Sequence, residues 1–168
     1  LITSFGESHG PAMGVVIEGC PSGLEFDGAL LIKELARRRP GSSSNTTGVQ
    51  AGLVSARNEL DAPEILSGIY EGKTLGTPIA IVVRNTDARS QDYAILEQTS
   101  RKGHADDVWK AKFSHVDPRG GGRSSGRETV ARVIGGAFAQ MLLKKLSPAT
   151  QVIGYTTQLG ELRLSAQD

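Results

Sequence analysis

The chain has 168 residues, of which 38% are hydrophobic, so it can bury a core and is too apolar for wholesale disorder. Nineteen basic and 18 acidic residues leave a formal net charge of +1. This balance excludes a general electrostatic attraction to nucleic acid or to a membrane surface, so we expect neither as a partner. The 21 glycines, well above the usual share of about 7%, indicate many tight backbone turns.

The cysteine content and the length of the apolar runs indicate the cellular compartment. Cys20 is the single cysteine, so no internal disulfide forms, and without a CxxC or Cys/His companion no metal site is expected. No apolar run approaches the roughly 20 residues that span a bilayer. We expect a cytoplasmic location, with a plastid or other organelle as the alternative if an N-terminal segment is missing. The chain stops just after a strand-like run, residues 161–164, which indicates a fragment.

The first motif is SFGESHG at residues 4–10. It fits the G-x-S-x-G pattern of a hydrolase nucleophile elbow around Ser8, which requires a strand before the serine and a helix directly after it. Here Pro11 follows, and then a buried strand predicted over residues 13–18, so the context disfavours a serine nucleophile. A tight turn that carries a solvated His9 stays open.

A helix is predicted after the N-cap Asp27, with Leu31, Leu35 and Arg38 on one face, and it ends before Pro40. Three consecutive arginines, residues 37–39, lie at its C-terminal end. Guanidinium groups bind phosphate or carboxylate bidentately, which predicts a small polyanion as partner. A solvated helix end favoured by the helix dipole is the alternative.

The middle of the chain is predicted to contain two strands, residues 65–70 and 78–85, joined as a hairpin through the glycine-containing turn GKTLGT. Further on, His104 follows a glycine and two cations, Arg101 and Lys102, which we expect to lower the pKa of the imidazole. It is therefore a candidate acid, with a capping or packing histidine as the alternative. The following DVWKAKF is predicted to form a short helix.

Residues 117–128, DPRGGGRSSGRE, place three successive glycines before a helix and among Arg119, Arg123 and Arg127. Backbone N–H groups of such a loop, together with the helix N-terminus, predict an anion cradle. The stretch lacks the GK[ST] of a P-loop and does not fit G-x-G-x-x-G, so neither ATP nor a dinucleotide is implied. A flexible surface turn with solvated arginines is the alternative.

The clearest helix pattern starts at Ser125, where Glu128 is predicted to complete a capping box, and it closes before Pro148. Gly135 and Gly136 in its middle cost about 1 kcal/mol each relative to alanine, which predicts close packing against a sheet. A further strand is predicted over residues 151–157.

Five ordered stretches, FGESHG, RRRPG with a following TT, GTPIAIVVRNTDARSQDY, GHAD and RGGGRSSGRET, together resemble the chorismate synthase family over most of residues 4–132. The resemblance implies an α+β fold, a β-α-β sandwich with helices packed between antiparallel sheets. It makes residues 1–168 a single domain that is the N-terminal part of a longer catalytic domain.

The resemblance also implies a lyase of the shikimate pathway, a homotetramer that eliminates phosphate from 5-enolpyruvylshikimate 3-phosphate to give chorismate. Reduced FMN is the implied cofactor, with no net redox change. Whether NADPH or an external reductant reduces the flavin stays open. A module that binds flavin and phosphate without catalysis is the alternative function.

Residue by residue, the resemblance implies that His9 protonates the departing phosphate and that His104 protonates the reduced flavin. The implied substrate-binding residues are Arg38 and Arg39, and the implied flavin-binding residues are Arg123, Ser124 and Ser125. The chain departs from the family pattern at Ser44, at Lys102, and in residues 48–56, which intervene before the R-x-E-x-D run that ends at Asp61.

Overall fold

A computed structural model describes residues 1–39, 61–86 and 105–165. The strands are β1 (Ile2–Phe5), β2 (Ala12–Ile17), β3 (Pro63–Ile65), β4 (Ile69–Tyr70), β5 (Lys73–Thr74), β6 (Ile79–Arg84), β7 (Gln158–Leu159) and β8 (Leu162–Arg163). The helices are α1 (Gly28–Arg37), α2 (Asp106–Phe113) and α3 (Thr129–Leu146). Helices combined with antiparallel sheets confirm the predicted α+β class.

The central sheet has four antiparallel strands in the order β1-β2-β6-β3. Alternate apolar side chains of the two central strands are fully buried, among them Met13, Val15, Ile81 and Val83. In the register of this sheet Ala12 lies opposite Arg84. The loop that enters β2 therefore lies beside the C-terminal end of β6, and this juxtaposition positions the site described below.

Helices α1 and α3 share one hydrophobic core with the sheet. The predicted N-cap is confirmed, since Asp27 Oδ1 accepts a hydrogen bond of 2.9 Å from the Leu30 backbone N–H. Helix α3 contributes Val130, Ile134 and Phe138 to the core, and the Phe138 ring stacks on Phe26 with 5.6 Å between centroids. Burial of this helix against a sheet is thus confirmed, as is the short helix α2.

The predicted hairpin of residues 65–70 with 78–85 is wrong in its first strand. The strand β3 ends at Ile65, and β4 resumes only at Ile69. Between them the Ser67 hydroxyl donates to Pro78 O at 2.9 Å and accepts from Ala80 N–H at 3.1 Å, so a side chain replaces the backbone ladder. Strands β4 and β5 pair with each other as a separate ribbon.

Two further predictions are wrong. Ser125 accepts from the Arg127 N–H, but Glu128 Oε1 binds Ser4 and Arg123 instead of closing a capping box, and α3 begins only at Thr129 after a 3₁₀ turn. Residues 151–157 form no strand, because no strand partner for them lies among the described residues. Within the described ranges, no helix is long and apolar enough to cross a bilayer.

The two glycines of α3 differ in their surroundings. A Cβ added at Gly135 would lie 3.1 Å from Ile2 Cγ2, whereas a Cβ at the exposed Gly136 would meet no atom within 4 Å. The predicted close packing against the sheet is therefore confirmed at Gly135, which contacts β1, and is wrong at Gly136.

We expect Gly136→Ala to raise the free energy of unfolding by about 0.5–1 kcal/mol, because alanine favours the helix and contacts nothing new. Gly135→Ala should raise the free energy of unfolding by less, since the Ile2 side chain must shift to make room for the new Cβ. Urea denaturation of both variants measures the difference. A larger gain at position 135 than at 136 would contradict the packing of β1 on α3.

Candidate functional site

The site is built around the loop of residues 6–10, called the histidine loop, which connects β1 to β2. Gly6 has φ +91°, and a Cβ there would overlap Ala12 O, so the loop starts with a conformation that requires glycine. The Gly10 N–H donates to Glu7 O at 3.0 Å and closes a tight turn. The predicted tight turn is therefore confirmed, but the solvated histidine of that alternative is not, because the His9 ring packs on another segment.

The imidazole of His9 lies against the glycine stretch, residues 120–122. A Cβ at Gly120 would overlap Nδ1 and Cε1 of the ring, so no other residue type could occupy this position without moving the ring or the loop. The Ser8 N–H donates to Gly122 O at 3.3 Å, which joins the two loops a second time. The sequence separates these segments by more than 100 residues, and the fold brings them into contact.

The three glycines are buried and have φ values of +57°, +79° and +49°. Three consecutive positive φ angles are accessible to glycine and costly for any side chain. The alternative of a flexible surface turn is therefore wrong for residues 120–122. Because Gly120 has no side chain, the histidine loop can pack directly against this stretch.

The arginines around this stretch are engaged by carboxylates. Arg119 pairs with Asp117 at 2.7 Å, and Arg123 pairs with Glu128 at 2.8 Å. Hydrogen bonds from Arg119 hold the pKa of Asp117 below its ordinary 3.8, against the opposing effect of partial burial. The prediction that three arginines surround a bound anion thus needs correction, because each of them, Arg127 included, has a carboxylate partner in the protein.

Arg123 also fixes the histidine loop. Its Nη1 donates to Gly6 O at 2.7 Å, and its Nη2 donates to the Ser4 hydroxyl oxygen at 2.9 Å and to Glu128 Oε1. The Ser4 hydroxyl in turn donates to Glu128 Oε1 at 2.6 Å. The loop start, β1 and the segment before α3 are thereby joined by one guanidinium group.

A second charged cluster lies under the loop. Asp61, whose side chain is 1% exposed, accepts from Arg38 Nη1 at 2.5 Å through Oδ2 and from Arg127 Nη1 through Oδ1. Arg127 Nε donates at 3.1 Å to Asn85 Oδ1. Asn85 Nδ2 donates to Glu7 O at 3.1 Å and Gly10 O at 2.7 Å. This chain of contacts connects the C-terminal end of α1 to the histidine loop.

A cavity of about 840 Å³ opens between β1, α2 and the glycine stretch. Its walls include the aromatic rings of Phe5, Trp109 and Phe113, and its polar groups include Arg123 and Ser124. The Trp109 and Phe113 rings stack with centroids 5.1 Å apart. Aromatic walls with a few polar groups suit a flat ring system that carries a polar or anionic group.

The predicted site residues fall into three groups. Arg123 and Ser124 line the cavity, His9 packs on Gly120 without being one of the cavity-lining residues, and Ser125 caps the turn that precedes α3. Arg38 and Arg39 lie at the end of α1, away from the cavity walls, and Arg38 is linked to the loop through Asp61. His104 lies outside the described residues, as do residues 44, 48–56, Arg101 and Lys102.

The sequence patterns assigned no role at the site to Asp61, Asn85 or Glu128. Asn85 stands in GTPIAIVVRNTDARSQDY, one of the stretches that carried the resemblance, whereas Asp61 ends the R-x-E-x-D run before which the chain departs from the family pattern. Their function is to bind other polar groups across the fold, and no local pattern shows a contact between residues 66 positions apart. Within the described ranges, no cluster of His, Cys, Asp and Glu could hold a metal ion.

The serine-hydrolase hypothesis is not supported. Ser8 is 1% exposed, and β2 follows it in place of the helix that a nucleophile elbow requires. A nucleophile in that position has no access for an acyl substrate. The loop therefore offers His9 rather than Ser8 as its candidate for chemistry.

Comparison with known proteins gives one consistent family. The family model described as chorismate synthase matches residues 1–168. A chorismate synthase of Bdellovibrio bacteriovorus is 59% identical over 165 residues, 98% of this chain and 47% of the relative. One of Stenotrophomonas maltophilia is 53% identical over 161 residues, 96% of this chain and 41% of the relative.

A crystal structure of chorismate synthase superposes with a TM-score of 0.56 and 31% sequence identity, over 88% of this chain and 34% of that one. The chain thus spans less than half the length of these relatives.

We expect Gly120→Ala to displace the His9 ring and to lower the free energy of unfolding by about 1–3 kcal/mol through steric overlap, in addition to the cost of positive φ. Gly23→Ala is the matched control, because its φ of +72° is similar and a Cβ there meets nothing within 4 Å. Urea denaturation and the His9 Cε1–H signal in NMR spectra report the two effects. Equal losses in both variants, with an unmoved signal, would show that His9 does not lie on Gly120.

Proposed function

The chain belongs to the chorismate synthase family, and we propose that the protein eliminates phosphate from 5-enolpyruvylshikimate 3-phosphate to form chorismate, with reduced FMN as its cofactor. The observation that carries this proposal is that His9 packs on Gly120, while the neighbouring Gly121 of the same buried stretch lines the aromatic-walled cavity. A candidate proton donor and a candidate site for a flat ring thus contact neighbouring glycines of one stretch.

His9 is proposed as the general acid. Breaking the carbon–oxygen bond builds negative charge on the departing phosphate, and a proton from an imidazole lowers the barrier. The ring edge with Nδ1 and Cε1 packs on Gly120, which fixes the orientation of the imidazole. An acid held in one orientation acts without first losing conformational freedom.

The cavity residues fit a flavin. Phe5, Trp109 and Phe113 would pack against its ring system, while Arg123 and Ser124 would bind its polar edge or its phosphate. When bound, reduced FMN supplies an electron-rich ring that assists the elimination without net redox change. Arg123 keeps its position there because Glu128 and Gly6 O hold its two terminal nitrogens.

Arg38 and Arg39 are proposed to bind the anionic substrate. Two guanidinium groups and one carboxylate give the cluster of Arg38, Arg127 and Asp61 a net charge of +1, which favours an anion nearby. Among the described residues, Arg38 Nε and Arg39 Nε are buried without a hydrogen-bond partner. A phosphate or carboxylate oxygen would satisfy such donors.

Three further parts of the proposal rest on the family alone. These are a homotetrameric assembly, a cytoplasmic location and a role for His104 in protonating the flavin. NADPH is proposed as the source of electrons for the flavin, with an external reductant as the alternative. A comparison of turnover with NADPH and with a chemical reductant separates the two sources.

The proposed function is tested with the full-length protein, reduced FMN and 5-enolpyruvylshikimate 3-phosphate, with chorismate release as the readout. We expect His9→Ala to lower turnover by about 100-fold or more, the size of a lost general acid, with substrate affinity changed only a few-fold. Lys145→Ala, at the exposed end of α3, is the control and should keep full turnover.

Two results would count against this account. Binding of flavin and substrate without any chorismate formation by the unmodified protein would favour a non-catalytic module. Full turnover of the His9→Ala variant would remove His9 from the mechanism.

A further inference from the structure

We propose that Asn85 is a positioning residue for His9, and that the buried Asp61–Arg127 pair holds the Asn85 amide in the orientation that this role requires. The catalytic part of this inference rests on the proposed function. The structural part stands on contacts within the protein and can be tested without substrate.

Asn85 is fixed to the central sheet. It directly follows β6, and its backbone N–H donates to Pro11 O at 3.1 Å, which extends the pairing of β6 with the segment entering β2. Because β6 is an inner strand of the sheet, its end is a rigid point of attachment. The side chain of Asn85 therefore starts from a well-defined position next to the loop.

The Asn85 amide binds the loop on both sides of His9. Its Nδ2 donates to Glu7 O at 3.1 Å and to Gly10 O at 2.7 Å. A primary amide has two N–H donors, and both are used on these two carbonyls. The residue two positions before His9 and the residue directly after it are thus attached to one group.

The hydrogen bond from Arg127 determines which end of the Asn85 amide faces the loop. A guanidinium group has donors and no acceptor, so the atom of Asn85 that faces Arg127 Nε must be the carbonyl oxygen. Arg127 is itself 4% exposed at its side chain and paired with Asp61. Reversal of the amide would place two donors against each other in a buried setting, so the ion pair fixes the amide.

Asn85 acts through His9 and does not line the cavity. Arg123 holds the same loop from the other side, at Gly6 O, but it is itself a cavity residue. A variant at Arg123 would therefore confound positioning with binding. A variant at Asn85 separates them, which makes Asn85 the position at which the inference can be tested.

The test uses Asn85→Asp in the full-length protein. Aspartate keeps the shape and still accepts from Arg127, but it has no N–H for Glu7 O and Gly10 O and places negative charge against them. We expect kcat to fall by about 10- to 100-fold while KM for 5-enolpyruvylshikimate 3-phosphate changes less than about 3-fold, because a displacement near 1 Å has effects of this size. The His9 Cε1–H signal in NMR spectra should shift or broaden.

Thr74→Val is the matched control. The Thr74 hydroxyl donates to Pro21 O at 2.6 Å and accepts from Leu24 N–H at 3.0 Å, so this variant also loses one partly buried and one buried hydrogen bond, but away from the loop. It should keep kcat and the His9 signal even where its stability falls. This comparison distinguishes positioning from a general loss of stability.

A measurement on the unmodified protein covers the case in which Asn85→Asp does not fold. The Asn85 side-chain NH₂ protons should exchange with solvent at least about 10-fold more slowly than those of Gln140, which is exposed on α3. Equally fast exchange would overturn the inference. So would an Asn85→Asp variant with an unmoved His9 signal and kcat within about 2-fold of the unmodified protein.

Failure of the proposed function gives a different pattern. If the unmodified protein forms no chorismate but the Asn85→Asp variant moves the His9 signal and Asn85 exchange is slow, the positioning role holds and the assigned reaction is wrong.

Discussion

The carboxylate of Asp61 lies between the guanidinium groups of Arg38 and Arg127, and water has almost no access to it. An ion in such a place is stable only while both partners remain, because removal from water costs several kcal/mol that their attraction must offset. The three residues come from the end of α1, from the segment before β3 and from the turn before α3. The ion pairs of Asp61 with Arg38 and Arg127 therefore also fix the elements that surround the histidine loop.

The second constraint is steric. The His9 ring occupies the space that a side chain at Gly120 would need, and the glycine stretch adopts backbone angles that other residues avoid. The two constraints are complementary, since the ion cluster and Asn85 hold the loop through its carbonyls while the glycines set how closely it approaches. A general acid of the kind proposed for His9 requires this combination of close approach and fixed orientation.

Local patterns predicted much of the fold and less of the site. Asp27, the apolar face of α3 and the buried strand β2 were readable because caps and periodicity are local properties. The capping box failed because Arg123 and Ser4 compete for the Glu128 carboxylate, and the strand of residues 65–70 failed because the Ser67 hydroxyl takes over the ladder. Both failures arise from contacts between residues that no local pattern connects.

The same limit applies to the site. The proposed role of His9 came from the family resemblance and the predicted cradle from the three glycines, whereas the contacts of Asp61 and Asn85 depend on partners far along the chain. The arginines were recognised as a cluster, but the sequence could not show that each one has a carboxylate partner. Charge composition predicts that an anion can be attracted, and only the fold shows which charges are already paired.

The most direct test of the central claim is the free energy of unfolding of Asp61→Asn, measured by urea denaturation. The account predicts a loss of about 3–5 kcal/mol, because the substitution leaves two guanidinium groups without their shared carboxylate. A loss below about 1 kcal/mol, the range of an exposed ion pair, would contradict the claim that this buried carboxylate holds the site together.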